Sequence, residues 1–226
     1  MHELSEIIPI KFVYVDVLAS DGSRPYGPFY VNNLIHAVDI FYSLPHSHLC
    51  LTDAPDLSYE CSTELVPGWY KGWWAKILLF RPRQFRLVFL DLDTLILDNI
   101  NFLSTDFGDM VILQDFYYPT RWGSAIISLR EGDFGHSVYD HFSPSIMQFF
   151  RGDQDWIFHT LSESLVGDIV LWQNCVPGKI SSYKLGGGKK PSGAIVCFHG
   201  KPKIHDVLNI EWVRQAWQYP TLVAGA

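Results

Sequence analysis

Leu87-Val88-Phe89-Leu90-Asp91-Leu92-Asp93-Thr94-Leu95-Ile96-Leu97 sets two carboxylates one residue apart inside an apolar run. A chain that buries Leu, Val, Phe and Ile on both sides has no structural use for two bare negative charges there. Each charge withdrawn from water costs about several kcal/mol unless it is paired or bound to a cation. In an extended backbone residues i and i+2 point to the same side, so Asp91 and Asp93 can face one ligand. Two hard oxygen donors at the end of a buried strand suit Mg²⁺ or Mn²⁺, ions that also hold substrate phosphates. In the competing reading one aspartate caps a turn and the other is solvated, but the flanking Leu, Phe and Ile make poor loop composition.

Outward from this run, the apolar spacing predicts strands at Ile10–Val17, His48–Thr52, Leu87–Leu90, Met110–Leu113, Ala125–Leu129 and Ala194–Phe198. Helical spacing is read over Phe29–Ser43, ending before Pro45, and over Trp73–Phe80, halted by Pro82; Val138–Phe150 and Asp153–Leu161 complete the set. Strands alternating with helices indicate an α/β architecture with a mostly parallel central sheet flanked by helices. Leu185–Gly193 is the one locally biased stretch, and it reads as a mobile loop. It is not a Walker A loop, because Gly188-Lys189 is followed by Lys190 instead of Ser or Thr.

A length of 226 residues suits one domain, residues 1–226, with a substantial core, and 48% hydrophobic with 15% aromatic residues argues against disorder. The net charge of −7 argues against nucleic acid as the main partner, while leaving room for a nucleotide held by two or three local cations. Cys50, Cys61, Cys175 and Cys197 form no CxxC pair, so reduced thiols are expected in place of a zinc site. Met1–Glu6 lacks the basic and apolar regions of a signal peptide, and no apolar stretch reaches the roughly 18 residues of a membrane span. A cytoplasmic protein without a transmembrane segment is expected.

A second informative segment is Cys197-Phe198-His199-Gly200-Lys201-Pro202-Lys203. A strand delivers a histidine able to ligate a metal, a glycine allows close backbone approach, and two lysines follow as point charges for phosphate. Taken with Phe89-Leu90-Asp91-Leu92-Asp93, it resembles the nucleotide-sugar-dependent glycosyltransferases of the GT-A (Rossmann-like) fold. The aspartates look like that fold's DxD motif. Phe198-His199-Gly200-Lys201-Pro202 looks like a compact form of the late His-Gly-Lys-Pro segment of glycogenin-like, family 8 enzymes. Tyr26–Asn32, Leu49–Asp53, Gly72–Lys76 and Gly152–Trp156 resemble, in order, segments of bacterial and phage members.

The resemblance implies a single GT-A domain, a hexosyltransferase activity, a nucleoside-diphosphate-sugar donor with a UDP-sugar favoured, and Mn²⁺ (or Mg²⁺). The acceptor stays open among glycan, protein, lipid and small molecule. By the same resemblance Asp93 and His199 would ligate the metal and Asp91 would touch the metal or the donor ribose. Lys76, Gly200 and Lys201 or Lys203 would meet the donor and its diphosphate, and Thr52 and Asp53 would lie near the base. Asp153, Gln154 and Asp155 would stand at the donor sugar and acceptor, with Asp153 or Asp155 the base of an inverting reaction and Gln154 near the reacting face of a retaining one. Histidine and lysine are closer together here than in the glycogenin-like pattern, and Gly123-Ser124 stands where the family has Asn-Ser. Trp69, Trp73 and Trp74 suit either sugar stacking or the core. His205-Asp206 reads as a solvated turn.

Two rivals remain on sequence. A haloacid-dehalogenase-like phosphatase also uses Asp-x-Asp after a strand, but it places a residue between the second Asp and Thr that Asp93-Thr94 lacks. A catalytically silent nucleotide-sugar-binding module is the other.

Overall fold

A computed structural model describes residues 10–162 and 167–224, with side chains to residue 220; Met1–Glu6 lies outside them. In chain order the elements are β1 Ile10–Asp16, α1 Pro28–Phe41, β2 His46–Thr52, β3 Ser62–Leu65, a 3₁₀ helix Gly72–Phe80, β4 Arg86–Leu90, β5 Thr94–Ile96, β6 Met110–Gln114 and β7 Trp122–Leu129. They continue with α2 His136–Asp140, α3 Asp153–Ser162, β8 Ile169–Leu171, α4 Trp172–Cys175, β9 Ile180–Ser182, β10 Ile195–Cys197 and α5 Glu211–Ala224. Among the described residues no helix is long and apolar enough to cross a membrane.

Seven strands form the central sheet in the order β3-β2-β1-β4-β7-β6-β8. All neighbours run parallel except those of β7, which is antiparallel to both β4 and β6. The sheet is therefore mostly parallel, with one reversed strand near its middle. All five residues of β4 are buried because the sheet is covered on both faces. Val88 and Leu90 pack with α1 and α5 on one side; Leu87 and Phe89 pack with the 3₁₀ helix, α2 and α3 on the other. This two-sided burial explains why the run before Asp91 lacks alternation.

Helix α1 begins where Gly27 adopts φ +73 and Pro28 takes the first helical position, and it buries Tyr30, Val31, Leu34, Ile35 and Val38. A second sheet of three strands, β5-β10-β9, packs into the same apolar cluster. Antiparallel pairing of β5 with β10 sets Thr94 opposite Cys197, and the Phe198 N–H donates to the Asp93 carbonyl at 2.9 Å. This pairing brings the late His-Gly-Lys segment next to the paired aspartates.

Several elements differ from the sequence reading. Trp73–Phe80 is a 3₁₀ helix, entered through Gly72 at φ +53, whose Trp74–Phe80 side chains are all buried. The helix expected over Val138–Phe150 is broken: α2 ends at Asp140, and Ile146–Gln148 forms only a 3₁₀ turn. Pro144 has no N–H to give and disfavours helix in the residue before it. The Leu185–Gly193 stretch is a set of hydrogen-bonded turns, anchored where the Trp212 indole donates to the Gly188 carbonyl at 2.9 Å. All four cysteines are free, with Cys50 and Cys197 buried.

Candidate functional site

The neighbouring order β2-β1-β4 carries the carboxyl ends of three parallel strands to one rim, where open α/β sheets bind ligands. Asp16 and Thr52 are register partners there, and Asp91 follows β4. Arg24, from the loop after β1, bridges Asp16 at 3.1 Å and makes a close pair with Asp53. The Leu18 N–H donates to Asp53 at 3.1 Å, and Tyr59 donates to Asp16 at 2.7 Å while lying 3.0 Å from the Thr52 hydroxyl. Burial pulls the Asp53 carboxyl up, but the Leu18 N–H and Arg24 outweigh it and hold it below the usual range. A depressed native pKa adds stability above the unfolded value of about 4, and that stability is lost as pH falls through the native value. Asp53→Asn is therefore expected to flatten the acid limb of the stability curve below about pH 4 in urea titrations.

Lys76 is buried on the 3₁₀ helix, and its ammonium is the hub of the rim. It contacts Asp91 at 2.8 Å, the Ser124 hydroxyl at 3.3 Å and Asp153 at 3.8 Å. Burial alone would lower its pKa; Asp91 and Asp153 reverse this and raise it above the usual lysine range. Burial, opposed by Lys76 and reinforced by the Asp93 carboxylate, pushes the Asp91 carboxyl up to about 6. Lys76 thus does not snorkel: it neutralises a pocket of carboxylates.

Asp93, in the turn between β4 and β5, takes different partners from Asp91. Its Oδ2 accepts from the Tyr26 phenol at 3.0 Å and makes a close ion pair with Lys203. Burial and the Asp93 charge push Tyr26 far above the usual phenol range, keeping it a donor. Lys203 is positioned by Asp206, which accepts its backbone N–H at 2.8 Å, whereas Lys201 stays largely exposed and pairs with Asp206 at 3.4 Å. Of the two candidate lysines, Lys203 is the one at the aspartates. His205 and Asp206 lie exposed in the 3₁₀ turn Ile204–Val207, as expected of a solvated turn, and Asp206 also holds the Lys203 backbone. Gly200 sits at φ +70, a turn that glycine makes without strain.

His199 stacks on Phe116 with ring centres 5.2 Å apart, and its Nε2 lies 2.6 Å from the Ser182 hydroxyl. That hydroxyl already accepts from the Leu185 N–H, so its own proton is free for Nε2. Burial, helped by Lys184, lowers the His199 pKa and favours the neutral ring. Even so, among the described residues Asp91, Asp93 and His199 do not bring three ligand atoms within 4.8 Å of one another.

At the start of α3 the three candidates separate. Asp153 is buried, and its Oδ2 has no hydrogen-bond partner. Gln154 reaches Asp115 at 3.4 Å. Asp155 turns away to Arg121 at 3.1 Å and Arg151 at 3.3 Å. Of the tryptophans, Trp74 is core, whereas Trp73 is 55% exposed and lays its indole edge against Gly152, the residue before Asp153.

Asp16 and Arg24 were missed by the sequence reading, while Tyr26 and Ser124 lay in segments it quoted without giving either a role. The signal for Asp16 was present, since an aspartate closing a buried parallel strand lies at the ligand-binding rim. Arg24 and Tyr26 sit in a Gly/Pro loop whose path only the fold reveals.

No protein-family model and no curated protein sequence matches the chain. Its structure superposes on that of the glycosyltransferase GlyE from Streptococcus pneumoniae TIGR4 with a TM-score of 0.64 at 10% sequence identity, over 93% of this chain. The chain has a glycosyltransferase-like fold. It spans 60% of the length of GlyE.

Proposed function

We propose that the chain is a metal-dependent glycosyltransferase of the GT-A type, related to the glycogenin-like family 8, that moves a sugar from a nucleoside-diphosphate sugar to an acceptor. A UDP-sugar is the favoured donor. One observation carries the reading: two aspartates at the end of a buried strand are each held by a different lysine, at a rim that also gathers Asp16, Thr52 and Asp53. The likeness of fold to a glycosyltransferase supports it.

Two oxygen donors and an imidazole match Mn²⁺ or Mg²⁺ in chemistry, and the Lys203 ammonium paired with Asp93 supports a role for this carboxylate in meeting positive charge. In this reading Asp91, Asp93 and His199 would hold the ion after drawing closer together, and the bound ion would supply Lewis-acid neutralisation of the diphosphate. Lys203 then moves from Asp93 to the diphosphate oxygens, where its charge counts more as the leaving group becomes anionic. Tyr26 orients Asp93, and Lys76 fixes Asp91. Asp53 and Thr52 bind the nucleoside end. Asp153 is sealed under Lys76 and Asp155 is tied to two arginines, so neither stands free as a base; this favours retention over inversion. Trp73 presents a face on which an acceptor sugar can stack.

The reading predicts release of nucleoside diphosphate from at least one donor of a UDP- and GDP-sugar panel, abolished by EDTA and restored by Mn²⁺. Turnover unaffected by EDTA would remove the metal from the account. Hydrolysis of p-nitrophenyl phosphate without any use of nucleotide sugars would favour the phosphatase instead.

A further inference from the structure

At the opposite end of β2 from Thr52, two histidines and an aspartate converge. His46 and His48 alternate along the strand and so share a face, and α1 lays Asp39 over it. Asp39 Oδ1 is 2.9 Å from His46 Nε2 and 2.9 Å from His48 Nε2. These three ligand atoms all lie within 4.8 Å of one another.

The outer contacts of both rings fix which nitrogen faces Asp39. His46 Nδ1 lies 2.8 Å from the Leu44 carbonyl, which can only accept, so Nδ1 carries a proton and Nε2 is the nitrogen that faces Asp39. His48 Nδ1 lies 2.9 Å from the hydroxyl of the fully buried Tyr14, so here too Nε2 is the nitrogen that faces Asp39. A nitrogen lone pair facing a carboxylate oxygen needs a cation between them, and either a proton or a metal ion meets that need. Metal-bound histidines characteristically donate their other ring nitrogen to a carbonyl or similar oxygen in this way. Both rings are also held in place: His46 meets Phe12 and Tyr42 edge-on, and His48 stacks on Tyr14.

We propose that Asp39, His46 and His48 form a second metal site, for a divalent transition-metal ion of the Zn²⁺ class. Imidazole ligands select such ions over Mg²⁺ or Ca²⁺. Ligands of a tetrahedral Zn²⁺ at 2.0–2.1 Å lie about 3.3 Å apart, so the two contacts to Asp39 need open by only a few tenths of an ångström. The side chain of Asp39 is 50% exposed, which gives the ion an entry path and leaves its fourth position to water. The site is structural. It lies about 20 Å along β2 from the donor rim, and it fastens the last turns of α1 to the sheet. The other end of that helix carries Gly27, whose N–H donates to Asp16, next to Tyr26 on Asp93.

The test is calorimetric titration of the full chain with Zn²⁺, repeated with Co²⁺ to read the visible absorption of tetrahedral coordination. Asp93→Asn/His199→Gln serves as the background, removing the proposed donor-site ligands. One equivalent is expected to bind in this background with the tetrahedral Co²⁺ spectrum and to raise the melting temperature. Affinity should fall about 100-fold or more in His46→Gln/His48→Gln and about 10-fold in Tyr14→Phe, which keeps all three ligands. Absence of Zn²⁺ binding in the folded background protein would show a proton-bridged ion pair only and overturn the site. Binding that survives His46→Gln/His48→Gln unchanged would overturn it equally.

Discussion

Lys76→Met is expected to destabilise the fold by about 3–5 kcal/mol, the range for removing one partner of a buried ion pair. Methionine fills the space, so the loss is electrostatic. Asp91 loses its 2.8 Å partner and the buried Asp153 its 3.8 Å one, leaving two carboxylates without a cation. The deficit has a signature that a packing defect lacks. Orphaned carboxyls have raised native pKa values, so the native state holds protons that the unfolded chain has released, and stability rises as pH falls. Urea denaturation of the variant should therefore show a smaller deficit at pH 5 than at pH 8. Adding Asp91→Asn to Lys76→Met should recover part of the loss, since neutral Asn needs no counter-charge. A deficit below about 1 kcal/mol, the scale of an exposed pair, would contradict the role given to Lys76.

Asp93→Asn carries the largest expected effect on activity. Under the proposed function it removes a negative ligand of the cation and the partner of Lys203 and Tyr26 together. Turnover should fall by about 10²–10³-fold, the scale of losing one group aimed at charge developing in a transition state. Stability should change far less than in Lys76→Met, because Lys203 lies near the surface and its ammonium can turn to water. Lys201→Ala, removing an exposed lysine that touches only Asp206, should be near neutral, while Lys203→Ala should weaken donor binding; comparison of the two KM values checks this. Equal effects of the two lysines would contradict the geometry.

The parts of the site legible in the sequence were those marked by conflict with their surroundings. Asp91 and Asp93 stand out because β4 is buried on both faces, and Lys76 stands out as the one charge among seven buried residues of its helix. His199 was legible through a strand followed by Gly and Lys. Its nearness to Asp93 was not, because that depends on pairing between β5 and β10, strands of three residues separated by about a hundred positions. Such strands carry too few residues for any periodicity to register. Arg24 and Tyr26 were hidden for a related reason: loop residues take their roles from the path of the chain. The helix expected over Val138–Phe150 failed where apolar spacing continued across Pro144, a case of backbone chemistry overruling pattern. The Asp39, His46 and His48 cluster joins a helix to a strand, and only its His46-Ser47-His48 alternation is local in the sequence.

The central claim is that the rim around Asp91 and Asp93 binds a nucleoside-diphosphate sugar with a divalent cation. The direct measurement is thermal unfolding of the intact chain against a panel of UDP- and GDP-sugars with Mn²⁺, alongside Asp93→Asn. The account predicts saturable stabilisation of the wild type by at least one donor, dependent on Mn²⁺ and lost in Asp93→Asn. A folded wild-type sample that no nucleotide sugar stabilises in the presence of Mn²⁺ or Mg²⁺ would contradict it.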